Sequence, residues 1–221
     1  MLARVWFGVT ALVVLVGLVA QLVVTARATG GHFATVPGRL VNLFCFFTIQ
    51  SNVIVGVTSL LLAINPHRTS TLFRVFRLDG IVAIAVTFVV FHVALAGLHE
   101  LTGYAAFADF MLHTAAPVLC VLGWLLFGPR HRTGPRLVIL AVIFPLCYLA
   151  FTLIRGPLVD FYPYPFLDVR THGYGRVLVN SVIVGVLFLG LGAGVAALDN
   201  WLAGRRTGDS TDALGVTGRG R

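Results

Sequence analysis

The sequence predicts an all-α integral membrane protein, a single bundle of six transmembrane helices with both termini in the cytoplasm. Three observations carry this expectation. Of the 221 residues, 58% are hydrophobic and 11% charged, against about 25% charge in a soluble domain, and the mean hydropathy is +0.94. Six windows, near residues 4–26, 40–64, 79–99, 106–128, 137–155 and 177–201, are apolar over about the 20 residues that a helix needs to cross a hydrocarbon core. Arginines then set the orientation. With the N-terminus inside, the inner segments hold eleven arginines (Arg4, Arg68, Arg74, Arg77, Arg130, Arg132, Arg136, Arg205, Arg206, Arg219 and Arg221) and the outer ones five (Arg27, Arg39, Arg155, Arg170 and Arg176), as the positive-inside rule requires.

Each window is bounded by Gly, Pro or Arg. The first follows Arg4 and ends near Ala26-Arg27-Ala28, which resembles a signal-peptide cleavage site, but its apolar stretch exceeds the 7–15 residues typical of such a segment. A retained first helix is therefore expected. The second window carries Thr48, Gln50, Ser51 and Asn52, the third His92 and His99, and the fourth Asp109, His113 and Pro117. The sixth contains Gly190, Gly192 and Gly194, small residues that permit close helix approach. Residues 1–203 read as one transmembrane domain, and the Gly-, Ser-, Thr- and Arg-rich segment 204–221 as a disordered cytoplasmic tail.

Composition also excludes functions. All 16 basic residues are arginine and none is lysine, which removes Schiff-base chemistry on a lysine. The net charge of +8 is explained by topology, so no nucleic-acid partner is expected. Cys45, Cys120 and Cys147 have neither metal-ligand spacing nor an even count; they read as small buried hydrophobes, and neither metal nor cofactor is expected. Abundant Ala, Val and Arg with no lysine fit a GC-rich bacterium, which points to its plasma membrane.

Ionisable and polar side chains at membrane depth usually face a protein interior or a water-filled cavity. At 1.5 Å per residue, Thr48 and His113, both on spans descending from the outer face, lie roughly 10 to 12 Å below it, and His92 reaches the same level from the other direction. Thr48 and Asn52 share a helix face, as do Asp109, His113 and Pro117 in sequence. A threonine hydroxyl becomes a nucleophile when a base takes its proton and a third group orients that base. Thr48, His113 and Asp109 have the types for those roles, with Asn52 or Gln50 as donors to an oxyanion. Plainer readings stand beside this one. In these, Thr48 bonds its own helix, Asp109 complements a helix dipole, and Gln50, Ser51 and Asn52 serve as interhelical glue. Pro117 cannot bond the His113 carbonyl and should bend the helix. The outer segment from Asp160 to Asp168 alternates aromatics with prolines, which suits the headgroup zone or a lid whose Tyr164 and Phe166 touch a substrate.

Three anchors in order, Phe47-Thr48 with its polar followers, His113-Thr114-x-x-Pro117, and Tyr164-Pro165-Phe166-Leu167-Asp168, resemble the androgen-induced membrane hydrolase family over residues 47–180. The Gln50-Ser51-Asn52 string is more similar to uncharacterised bacterial six-helix relatives, and Ser51 is a competing nucleophile. The resemblance implies intramembrane hydrolysis of a lipid ester, such as a fatty-acid ester of a hydroxy fatty acid, with Thr48 as nucleophile and His113 as its partner; Asp109 is not implied by it. The alternatives are a non-enzymatic lipid-binding or transport protein, or a b-type haem protein with His92 and His113 as axial ligands.

Overall fold

The computed structural model describes residues 1–98, 100–130 and 133–215, with side chains described as far as Gly204. His99, Arg132, Arg219 and Arg221, used above, lie outside the described residues. The described residues are helical with no strand, and six helical segments are long and apolar enough to cross a membrane: Leu2–Arg27, Phe47–Ile64, Thr71–Leu95, Gly103–Phe127, Pro135–Val159 and Val169–Gly204.

The first span is α1 (Leu2–Arg27). A short helix α2 (Val36–Leu43) follows, started by Thr35, whose hydroxyl accepts from the Gly38 amide at 3.2 Å, and by Pro37 in its first turn. The expected helix over 40–64 is not continuous. The backbone closes two i→i−3 turns (Cys45 to Asn42, Phe46 to Leu43), Phe46 becomes extended, and α3 (Phe47–Ile64) starts afresh. The fifth span braces this break: the Tyr148 hydroxyl donates to the Cys45 carbonyl at 3.2 Å, and Arg155 donates to the Asn42 side-chain oxygen at 3.0 Å. Thr48 therefore sits in the first turn of a helix rather than inside one.

Helix α4 (Thr71–Val90) begins well before the expected residue 79, capped by Ser70, and ends in a π turn over Phe91–Leu95. Helix α5 (Gly103–Phe110) passes through a second π turn, Met111–Ala115, into α6 (Ala116–Phe127). Pro117 has no amide to offer the His113 carbonyl, and the Ala116 amide reaches back to the Met111 carbonyl, so the helix widens where a bend is predicted. Such π turns recur at functional sites. Helix α7 (Pro135–Val159) holds Pro145 and Pro157 internally and ends at Asp160, in the left-handed region at φ 51°. A single 3₁₀ turn, Pro165–Leu167, leads into α8 (Val169–Gly215), whose first turn is set off by non-helical Gly173 at φ 69°. That conformation favours glycine. Helix α8 enters the segment expected as a disordered tail, the rest of which, 216–221, lies outside the described residues.

Helix α4 is the centre of the bundle. Its stretch Leu78–Ile84 is fully buried, and it packs against α3, α6, α7 and α8, while α1 flanks α3 and the α5–α6 span. Close approach is set by small residues: a Cβ on Gly56 would lie 2.9 Å from Val14, and one on Gly17 2.9 Å from Leu112. Among the described residues nothing lies within 4 Å of a Cβ built on Gly190 or Gly194. Cys45 and Cys120 are buried and free, but Cys147 is exposed on the outside of α7, contrary to its reading as a buried hydrophobe.

Candidate active site

The break before α3 creates the site. The first amides of a helix have no carbonyl partner within it, and Phe46, at the N-cap position, has no side chain to accept from them. The phenol of Tyr164, carried in from the α7–α8 connection, fills that role. Its oxygen accepts from the Thr48 amide at 3.1 Å and lies 3.2 Å from the Thr48 hydroxyl. Tyr164 is buried, edge-on to Phe46 and stacked on Phe166 at 5.4 Å between centroids. Burial pushes its phenol above the usual value, opposed by the Thr48 hydroxyl and by the Thr48 and Phe47 amides, so the group stays protonated and keeps a hydrogen to donate.

On its other side the Thr48 hydroxyl lies 3.2 Å from His113 Nε2. His113 Nδ1 lies 2.9 Å from the Asp109 carboxylate and 3.2 Å from the Asp109 backbone carbonyl. Both partners of Nδ1 are acceptors, so that nitrogen carries the proton and Nε2 is left to accept from Thr48. The imidazole plane is fixed by Phe91, stacked on it at 4.0 Å and 11°. Thr48 is 6% exposed, while the side chains of His113 and Asp109 keep 17% and 25% of their surface. The two π turns, one bearing Phe91 and the other His113, bring these rings together. The geometry is that of an oriented base on a hydroxyl placed at the positive end of a helix dipole.

The remaining candidates part company. Asn52 is fully buried and spends its amide hydrogens on the carbonyls of Thr48 (2.8 Å) and Leu112 (3.1 Å). It ties α3 to the π turn of His113 and has no hydrogen left for an oxyanion. Gln50 turns away to the Phe44 carbonyl at 2.9 Å and does not join the site. Ser51 is fully buried, bonded to the Thr48 carbonyl and the Thr87 hydroxyl, with no base in reach. His92 lies near the same level but meets the Phe88 carbonyl (2.8 Å) and the Thr114 hydroxyl (3.4 Å), not Thr48. All four ring nitrogens of His92 and His113 are thus engaged within the chain, which does not fit a bis-imidazole haem. Among the described residues no group of three or more His, Cys, Asp or Glu is placed to hold a metal ion.

Thr48 also forms one wall of a cavity of about 190 Å³ between α4, α7 and α8. Its lining is apolar apart from the hydroxyls of Thr48, Thr87, Tyr148, Tyr164 and Ser181. Phe91 lines it too, whereas His113 and Asp109 do not, so Thr48 and Phe91 separate an apolar chamber from the more polar base. Sequence reasoning missed this chamber, the helix break and the capping role of Tyr164; only the position of Tyr164 in an aromatic and proline-rich connection signalled it. No protein-family model, no curated protein and no solved structure matches this chain.

Proposed function

We propose that this chain is a lipid-ester hydrolase working within the membrane, with Thr48 as nucleophile, His113 as general base and Asp109 as the group that orients it. The observation that carries the reading is the unbroken line from Asp109 carboxylate to His113 (2.9 Å) to Thr48 hydroxyl (3.2 Å), set against an apolar chamber. The chemistry follows from it. Thr48 Oγ1 attacks the ester carbonyl carbon while its proton passes to His113 Nε2, and the carbonyl oxygen gains the negative charge. Tyr164 is the hydroxyl nearest to receive that oxyanion, at the N-terminus of α3, where the helix dipole favours negative charge. The imidazolium then returns the proton to the departing alkoxide, which leaves an acyl-threonine and a free alcohol. A water molecule, deprotonated by the same nitrogen, attacks the acyl carbon and restores Thr48 with release of the fatty acid. Asp109 keeps Nδ1 protonated throughout and offsets the imidazolium charge.

Support from sequence is of two kinds. The three anchors resemble a family of intramembrane hydrolases, and the arginine distribution favours an orientation with the site beneath the outer face of the membrane. The test is purified protein in nanodiscs with a fluorogenic fatty-acyl ester. Wild type should turn over and form a covalent adduct with a fluorophosphonate, and Thr48→Ala and His113→Ala should each abolish both. Turnover that survives either change removes the mechanism. The apolar chamber favours one second reading, a lipid carrier without catalysis, and that reading predicts ester binding with no product in any variant.

A further inference from the structure

We infer that the chamber beside Thr48 holds the acyl chain of the substrate, that the chain comes in sideways from the lipid between α7 and α8, and that Gly185 sets its length at about 8 to 10 carbons; this rests on the hydrolase reading above. Thr48 is the one group of the catalytic line that the chamber wall includes, so an ester carbonyl over its hydroxyl points one arm into the chamber and the other toward His113. The arm in the chamber meets no charged side chain and is therefore an unsubstituted hydrocarbon tail. The alkoxide that must collect a proton from His113 is the arm on the opposite side, so the chamber selects the acyl part.

Leu146 on α7 and Leu189 on α8 both line the chamber and are 59% and 50% exposed. Their exposure marks an opening between those helices, facing the lipid. Depth follows from helix geometry. The lining runs from Ser181 to Leu189 on α8 and from Val86 on α4 to Leu95 at the end of its π turn; at 1.5 Å per residue these are roughly 12 and 13 Å. An extended alkyl chain of about 8 to 10 carbons fills that distance. Gly185 lies midway along the α8 wall, and a Cβ built on it meets nothing within 4 Å. A large side chain there projects into free space in the chamber without disturbing the packing around it, and closes its distal half.

The experiment compares wild type with Gly185→Ala and Gly185→Phe on p-nitrophenyl esters of 2 to 16 carbons, which share one leaving group. Wild type should peak at about 8 to 10 carbons. Gly185→Phe should peak at about 4 carbons, with the ten-carbon ester slowed roughly a thousandfold, since about five methylenes lose their apolar site and each forfeits about fourfold. Gly185→Ala should shift the profile only slightly. A Gly185→Phe profile that keeps its maximum, or falls evenly at every length, overturns the assignment. A second arm reads the chamber without chemistry: thermal stabilisation of Thr48→Ala by n-alkanols of 4 to 16 carbons should peak near decanol, and the double change Thr48→Ala/Gly185→Phe should move that peak to shorter chains. Length-dependent alkanol binding without ester turnover in wild type would overturn the hydrolase reading and leave the chamber assignment standing. Alkanol binding that ignores length, or ignores Gly185→Phe, would overturn the chamber assignment.

Discussion

Replacing Asp109 by asparagine tests the orienting role at one atom. The carboxylate lies 2.9 Å from His113 Nδ1, with both side chains mostly buried. A hydrogen bond to a charged group contributes about 1.5–3 kcal/mol, and each 1.36 kcal/mol is tenfold in rate, so Asp109→Asn should slow ester turnover about 10- to 150-fold. The loss stays short of the roughly 10⁴-fold seen where a carboxylate alone fixes the tautomer, because the Asp109 backbone carbonyl still receives the Nδ1 hydrogen at 3.2 Å. The assay is kcat and KM on one acyl ester, together with the rate of fluorophosphonate labelling. Both kcat and the labelling rate should drop by the same factor with KM little changed. Wild-type rates in Asp109→Asn would reduce the residue to a helix-dipole partner, and inactivity equal to His113→Ala would refute the role given to the backbone carbonyl.

Two further outcomes follow from the same geometry. Tyr164→Phe keeps the stack on Phe166 but removes the phenol from the Thr48 amide and hydroxyl; kcat should fall about 10²-fold with the chain-length profile preserved, and a variant with unchanged kcat contradicts the donor role. At the outer connection, hydrogen bonds from Arg170 hold the Asp168 carboxyl below its ordinary 3.8. The unfolded chain therefore binds this proton first as pH falls, so the stabilisation is complete above about pH 4 and fades as pH drops through the folded value. Thermal unfolding at pH 7 should show Asp168→Asn less stable than wild type, and the gap should close in acid; a gap that ignores pH would refute the pairing.

Six spans were legible because length and hydropathy suffice to mark them, whereas their ends were not. Thr71–Gly80, for example, is helical although Arg74, Arg77 and Asp79 interrupt its apolar character, since Arg77 and Asp79 are buried among neighbours. The meeting of Thr48 with His113 was expected from depth and helix face, and the structure brings them within 3.2 Å. The break before α3 left no trace in its own residues. Phe44, Cys45 and Phe46 include neither Gly nor Pro, and the groups that brace the broken turn come from Tyr148 and Arg155, over a hundred positions away. The choice for Asn52 and Gln50 between oxyanion donor and structural glue stayed open for a similar reason: a sequence shows that an amide is present but not which carbonyls consume its hydrogens. Tyr164 belongs to the same class, since capping by a residue 116 positions away has no periodicity to read.

The most direct measurement is the position of the covalent adduct. After reaction with a long-chain fluorophosphonate, digestion and tandem mass spectrometry should place the phosphonyl group on Thr48, in wild type but not in His113→Ala. An adduct on Ser51, or on a residue outside the chamber, or one that forms equally without the imidazole, would contradict the account.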